Sequence, residues 1–221
     1  MQFEAVIFDM DGVLMDSEDL WRKAMLQAFA EFGFAITIEQ CKSTMGMRIT
    51  EVIAHWFSHF KTAQSIASVE TRVMQLLLEL VRTEGNFIDG IPQILDFLKE
   101  KNIPIALATS SSHELMEAIL AKLNIKSLFS VLSSAEYLRF GKPHPEVFTI
   151  CADKLGIAAS KCLVIEDSIN GVVAAKAASM QVIAVPDADN QAKPQFVLAD
   201  FRFEKMTQVL PLLQRLFTKT D

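Results

Sequence analysis

From Asn86 onward the chain alternates short, wholly apolar runs with stretches of helical periodicity, and that alternation leaves few folds open. Ile105-Ala106-Leu107-Ala108, Ser130-Val131-Leu132, Leu163-Val164-Ile165 and Val182-Ile183-Ala184-Val185 read as strands, with helical stretches at 91–101, 114–123, 146–155 and 171–178. Apolar strands separated by helices predict a parallel sheet with helices on both faces. A further run, Ala5-Val6-Ile7, opens the chain and predicts a strand over 5–9 in the same sheet. The expected class is α/β, with a Rossmann-like parallel sheet as its core.

The segment 16–84 behaves differently. Trp21, Ala24, Met25, Ala28 and Phe29 fall at helical spacing, as do Val52, Ile53, Trp56 and Phe57, then Val69, Val73, Leu76, Leu77 and Leu80. These stripes predict helix after helix, with Trp21 and Trp56 as parts of their apolar faces. The expected organisation is a core domain of residues 1–15 and 85–221, interrupted by a helical cap domain of residues 16–84. Linkers fall near 14–17 and 83–90, the second broken by Gly85, Gly90 and Pro92. A helical block inserted after the first strand stands where a lid would act on the sheet edge.

With 221 residues, 51% of them hydrophobic, the chain can bury a sizeable core. Its net charge of −6 favours neither nucleic acid nor an anionic membrane surface. An anionic substrate would therefore need local positive charge from a metal, a lysine or a helix N-terminus. Cys41, Cys151 and Cys162 are odd in number and widely spaced, so they predict buried thiols in a reducing cytoplasm. No apolar stretch reaches the ~18 residues that span a bilayer, and no leader pattern opens the chain. A soluble, cytoplasmic monomer is the expectation.

The polar residues gather where the strands end. Phe8-Asp9-Met10-Asp11-Gly12 puts two carboxylates, one residue apart, at the C-terminal end of the first strand, the edge where open α/β sheets bind ligands. Like charges that are buried together need a cation or a shared proton. After the strand at 105–108, Thr109-Ser110-Ser111-Ser112-His113 serves either as a helix cap or as a phosphate site of hydroxyls and free N–H groups. Lys142 lies in Gly141-Lys-Pro-His-Pro145, where two prolines fix the loop; it is either a solvated lysine or one held in a set direction, with His144 as a loop contact. Glu166-Asp167-Ser168 closes another buried strand, either as a helix cap or as a second acidic pair. Two such pairs on neighbouring strands suit a hard divalent cation such as Mg2+.

In this order, Asp9-x-Asp11, Thr109, Lys142 and Glu166-Asp167 resemble the motif set of the haloacid-dehalogenase-like phosphatase superfamily. The resemblance covers nearly the whole chain, including a helical cap inserted after the first strand. Asp11-Gly-Val-Leu-Met-Asp16-Ser17-Glu18, Gly141-Lys-Pro-His-Pro145 and Ile165-Glu-Asp-Ser168 are similar to its sugar-phosphatase and β-phosphoglucomutase branch. Asp16-Ser-Glu-Asp-Leu-Trp21, Gly46-Met-Arg48-Ile49 and Phe196-Val-Leu-Ala-Asp200 are similar to bacterial 2-deoxyglucose-6-phosphate phosphatases, also called hexitol phosphatases.

The resemblance implies a set of roles. Asp9 is the nucleophile that forms an aspartyl phosphate, and Asp11 is the general acid/base. One Mg2+, with Mn2+ as a substitute, is held by Asp9, the Asp11 backbone carbonyl and Asp167, with Glu166 ligating or close by. Thr109 and Ser110 bind the phosphoryl oxygens, Lys142 adds positive charge, and Arg48 contacts the substrate, a small phosphorylated sugar or polyol. Ser111, Ser112 and His113 line the same distal region. Three alternatives accompany this reading: a β-phosphoglucomutase, a 2-haloacid dehalogenase and a phosphate-binding protein without activity. The mutases of the family carry a cap histidine near Trp21, dehalogenation needs neither Asp11 nor Glu166-Asp167, and a non-enzyme would be expected to lose part of the set.

Overall fold

The computed structural model describes residues 3–44, 47–60 and 62–217. The first strand, β1 (Ala5–Phe8), leads into four helices, α1 (Glu18–Glu31), α2 (Ile38–Ser43), α3 (Ile49–Phe57) and α4 (Ile66–Glu84). Then follow α5 (Ile91–Glu100), β2 (Ile105–Thr109), α6 (His113–Leu123), β3 (Val131–Ser134), α7 (Glu146–Leu155), β4 (Cys162–Glu166), α8 (Ile169–Ala177), β5 (Gln181–Ala184), β6 (Phe201–Arg202) and α9 (Val209–Phe217). The six strands form one sheet in the order β3-β2-β1-β4-β5-β6, and every pairing is parallel. The sheet thus winds outward from β1 in both directions, which makes β1 the switch point where such sheets bind ligands.

Strand residues alternate between two apolar cores, because successive side chains leave opposite faces of a sheet. Val6, Phe8, Leu107, Leu163 and Ile165 share one core with α5, α6, α9 and the helices α1–α4. Ala5, Ile7, Ala106, Ala108 and Val164 share the other with α7 and α8. Every residue of β1, β2 and β4 is buried, as wholly apolar runs predict.

The two linkers of the helical block run side by side. Asp16 N–H donates to Asn86 O (3.2 Å) and Ile88 N–H to Leu14 O (3.1 Å), with a bridge between Met15 and Phe87. Two adjacent strands of chain, tied to one another, carry the whole block.

Several bounds differ from the sequence expectations. β3 lies at 131–134 rather than 130–132, and β5 starts at Gln181. α8 starts at Ile169, two residues before the expected 171, because the Ser168 hydroxyl caps it by accepting from Gly171 N–H. β6, with two residues, is too short to read from sequence. α9 buries Val209, Leu212, Leu213 and Phe217 at helical spacing, a signal the sequence reading missed. No helix among the described residues is long and apolar enough to cross a membrane.

Candidate active site

The parallel register sets Phe8 beside Ile165, so the next residues, Asp9 and Glu166, leave the same sheet edge side by side. Asp9 N–H still donates to Ile165 O (3.0 Å), which extends the ladder to the nucleophile candidate. Lys142 reaches this edge from the loop between β3 and α7. Its Nζ donates to Asp9 Oδ1 (2.6 Å), Glu166 Oε1 (2.6 Å) and Ala108 O (3.0 Å), so all three of its protons are engaged. Lys142 is 3% exposed, which decides between its two sequence readings: it is an inward, paired lysine.

Glu166 is fully buried and uses both oxygens within the protein. Oε1 holds Lys142, and Oε2 accepts from Asp167 N–H (3.0 Å), Ser168 N–H (2.9 Å) and the Ser168 hydroxyl (3.0 Å). These contacts orient the turn that presents Asp167. Two glycines make room for these carboxylates. A Cβ on Gly12 would stand 2.1 Å from Asp167 Oδ2, and one on Gly171 would stand 1.7 Å from Glu166 Oε1.

Asp9, Glu166 and Asp167 each offer a carboxylate oxygen, and these atoms lie within 4.8 Å of one another. Burial, opposed by Lys142 and reinforced by Glu166, pushes the Asp9 carboxyl up to about 8. Burial and the neighbouring Glu166 and Asp9 raise Asp167 well above the ordinary carboxylate range. Burial alone would lower the Lys142 ammonium, but the Asp9 and Glu166 carboxylates lift it above the usual lysine range. Three carboxylates cannot all stay ionised beside one ammonium, and a hard divalent cation among them would relieve that cost.

Asp11 sits beyond the strand end and is held from two sides. Oδ1 accepts from the Ser17 hydroxyl (2.7 Å) and the Trp21 indole N–H (2.9 Å), and Oδ2 accepts from the Ser111 hydroxyl (2.7 Å). The apolar-stripe reading of Trp21 is therefore incomplete, because its N–H reaches a candidate catalytic carboxylate. Trp56 is buried in the core as expected.

Thr109 closes β2 and accepts Ser111 N–H (3.0 Å). The Ser110 hydroxyl oxygen is buried without a hydrogen-bond partner among the described residues, and it lines the same cavity. An acceptor-rich ligand such as a phosphoryl group would satisfy it. Ser112 instead caps α6, accepting Leu115 N–H, and His113 turns outward to pair with Glu136. His144 is an exposed loop residue.

A cavity of about 710 Å³, mouth included, joins Asp9, Asp11, Thr109, Ser110, Lys142 and Asp167 to the helical block. Its far wall carries Glu18, Arg22, Cys41 and Thr44 with Met25, Met47, Ile49 and Val52. Glu18 and Arg22 escaped the sequence reading because an acid and an arginine four apart on a helix ordinarily form a surface pair. Arg48, expected at the substrate, donates to Leu138 O (2.8 Å) and pairs with Glu51, so it ties the block to the loop after β3. Gly46, beside it in the motif, lies outside the described residues.

The model of the haloacid dehalogenase-like hydrolase family matches residues 6–185. The chain belongs to that family. Hexitol phosphatase B of Escherichia coli is 37% identical over 94% of this chain and 95% of its own length. A phosphorylated carbohydrates phosphatase of Thermotoga maritima is 30% identical over 96% and 98%. The crystal structure of CbbY from Rhodobacter sphaeroides in complex with phosphate superposes with a TM-score of 0.86, at 25% identity over 94% of this chain and 96% of that one. This family member is a phosphatase, and its motif residues converge on the sheet edge just described.

Proposed function

We propose that the chain hydrolyses phosphomonoesters of small sugars or sugar alcohols through an aspartyl phosphate on Asp9, in a Mg2+-dependent reaction. The observation that carries this reading is Asp9 itself, buried at the switch point, paired with Lys142 and open to a cavity that also holds Asp11, Thr109 and Ser110. The names of the relatives, a hexitol phosphatase and a phosphorylated carbohydrates phosphatase, support the substrate class.

In this reading an Asp9 oxygen attacks phosphorus, and the bond from phosphorus to the sugar oxygen breaks. Asp11 supplies the proton that the departing alkoxide needs, then takes one from the water that cleaves the acyl phosphate. Thr109 and the Ser110 N–H and hydroxyl bind the phosphoryl oxygens, and Lys142 orients Asp9 while adding positive charge. Asp9 and Asp167 would hold Mg2+ with the Asp11 carbonyl, and Glu166, engaged with Lys142 and backbone amides, positions rather than ligates. The bound ion supplies charge neutralisation for phosphate oxygens that would otherwise repel the Asp9 carboxylate. Residues 16–84 act as a cap domain over a core of 1–15 and 85–221, carried on the paired linkers. Three buried free cysteines support a cytoplasmic setting.

A mutase reading requires a phospho-enzyme shielded from water. Trp21 disfavours it: an indole N–H only donates, so it cannot shuttle a proton at Asp11 as a histidine could. The test is phosphate release from a panel of sugar and polyol phosphates with Mg2+ or with excess EDTA, beside a β-glucose 1-phosphate isomerisation assay. Mg2+-dependent release, strongest on hexose or hexitol phosphates, is expected. Isomerisation without release would make the chain a mutase.

A further inference from the structure

The cavity has two ends of different chemistry. The sheet end is charged and internally paired. At the other end α1 directs Glu18 and Arg22, one turn apart, into the cavity, against a wall of Met25, Met47, Ile49 and Val52. One Arg22 nitrogen lies 3.6 Å from Glu18 Oε2, and the other pairs with exposed Asp19. We propose that Glu18 and Arg22 read the far end of the substrate, favouring one that ends in uncharged hydroxyl groups and disfavouring one that carries a second phosphate there. This inference rests on the sugar-phosphatase reading above.

A hydroxyl both donates and accepts, so a neighbouring carboxylate and guanidinium satisfy it together. The apolar residues beside them suit the carbon chain of a polyol. A second phosphate brings only acceptors and about two negative charges. Arg22 would welcome it, but that cation is already shared between Glu18 and Asp19. Glu18, with Asp187 close enough to act on its charge, would oppose it, and Lys142, the other cation of the cavity wall, is fully engaged at the opposite end. Burial, then Asp187, with Arg22 acting against both, pushes the Glu18 carboxyl up to about 7. Near neutral pH it therefore exists in both protonation states, and each of them hydrogen-bonds a hydroxyl.

The experiment measures kcat/KM of the full chain with Mg2+ on a hexitol 6-phosphate, a hexose 1,6-bisphosphate and p-nitrophenyl phosphate. Wild type is compared with Glu18→Gln and Glu18→Ala, and each sugar value is divided by the p-nitrophenyl phosphate value of the same variant. Wild type is expected to favour the hexitol monophosphate by about tenfold or more. Glu18→Ala loses about tenfold on that substrate, chiefly through KM, as expected when a charged hydrogen-bonding partner is removed. Glu18→Gln, which still accepts and donates, keeps more of the hexitol activity while the bisphosphate gains on it. Unchanged normalised ratios in both variants, or a wild type that takes the bisphosphate equally well, overturn the proposal. Should one variant fail to fold, the other decides. A wild type that cleaves p-nitrophenyl phosphate but neither sugar compound overturns the sugar-phosphatase reading as well, whereas active hexitol hydrolysis with unmoved variants overturns this inference alone.

Discussion

The sheet edge holds its charged groups with backbone and with one another, whereas the wall supplied by α1–α3 presents an apolar surface with one acid–arginine pair. Asp9, Lys142, Glu166 and Asp167 are each buried, and bonds of 2.6 to 3.0 Å link Lys142 to Asp9 and Glu166 and tie Glu166 to the next turn. Across the cavity Glu18 and Arg22 are half-buried, and the block reaches the core through the Lys42–Asp189 pair and the Arg48 guanidinium. Groups that move phosphorus need fixed geometry, which strand ends supply. Groups that choose a substrate sit on helices whose residues change without disturbing the sheet.

The comparison breaks first at Asp9. Asp9→Asn removes the nucleophilic carboxylate and is expected to lower kcat by at least about 10⁴-fold, with the fold intact by circular dichroism. Wild-type turnover by the purified variant would move the chemistry away from the sheet edge. Asp11→Asn comes next, with a loss of about 10²–10⁴-fold on sugar phosphates. The loss should be far smaller on p-nitrophenyl phosphate, whose leaving group scarcely needs a proton. Equal slowing on both would deny Asp11 the role of acid.

Lys142→Met tests how strongly the sheet wall depends on its pairing. It strips Asp9 and Glu166 of their shared cation in a buried site, and the expected loss is about 3–5 kcal/mol in denaturant unfolding near pH 7. A loss under about 1 kcal/mol would mean that the carboxylates stay neutral by holding protons instead.

Glu18 gives the same question on the helical wall a pH signature. Its carboxyl rises from 4.5 to about 7 on folding, so the folded chain binds more protons than the unfolded one between those values. Its contribution to stability is therefore most favourable below the unfolded value and is lost as pH rises through about 7. Glu18→Gln should raise the free energy of unfolding at pH 8 more than at pH 5, by on the order of 2 kcal/mol. A gain equal at both pH values would show that the side chain is not desolvated as its position indicates.

Most of the sheet wall was legible in sequence, and the reason is physical. A strand buried on both faces admits no polar residue until it ends, so Asp9, Thr109 and Glu166 mark strand ends by their chemistry alone. The direction of Lys142 stayed open, since a loop lysine ahead of Pro143 has no periodicity to place it, and so did the choice between helix cap and ligand site at 109–113 and 166–168. The helical wall was less legible. Periodicity found α1, α3 and α4 and read Trp21 as part of a packing stripe, because a stripe cannot show where an indole N–H points. Glu18 and Arg22 have the spacing of any surface pair, and only the sheet edge facing α1 turns them into cavity residues.

Arg48 provides the smallest and sharpest test of the division. Sequence similarity places it at the substrate, yet its guanidinium donates to Leu138 O and pairs with Glu51, and Gly141 packs against its side chain. If it serves to hold the block to the loop after β3, Arg48→Ala should lower stability by about 1 kcal/mol, the scale of one such hydrogen bond. KM for a hexitol phosphate should then move less than about threefold, since no bond to the substrate is removed. The stability loss should persist at high salt, because a bond to a backbone carbonyl is screened less than an exposed ion pair. A tenfold rise in KM with unchanged stability would instead put Arg48 among the substrate-reading residues of the helical wall, beside Glu18 and Arg22.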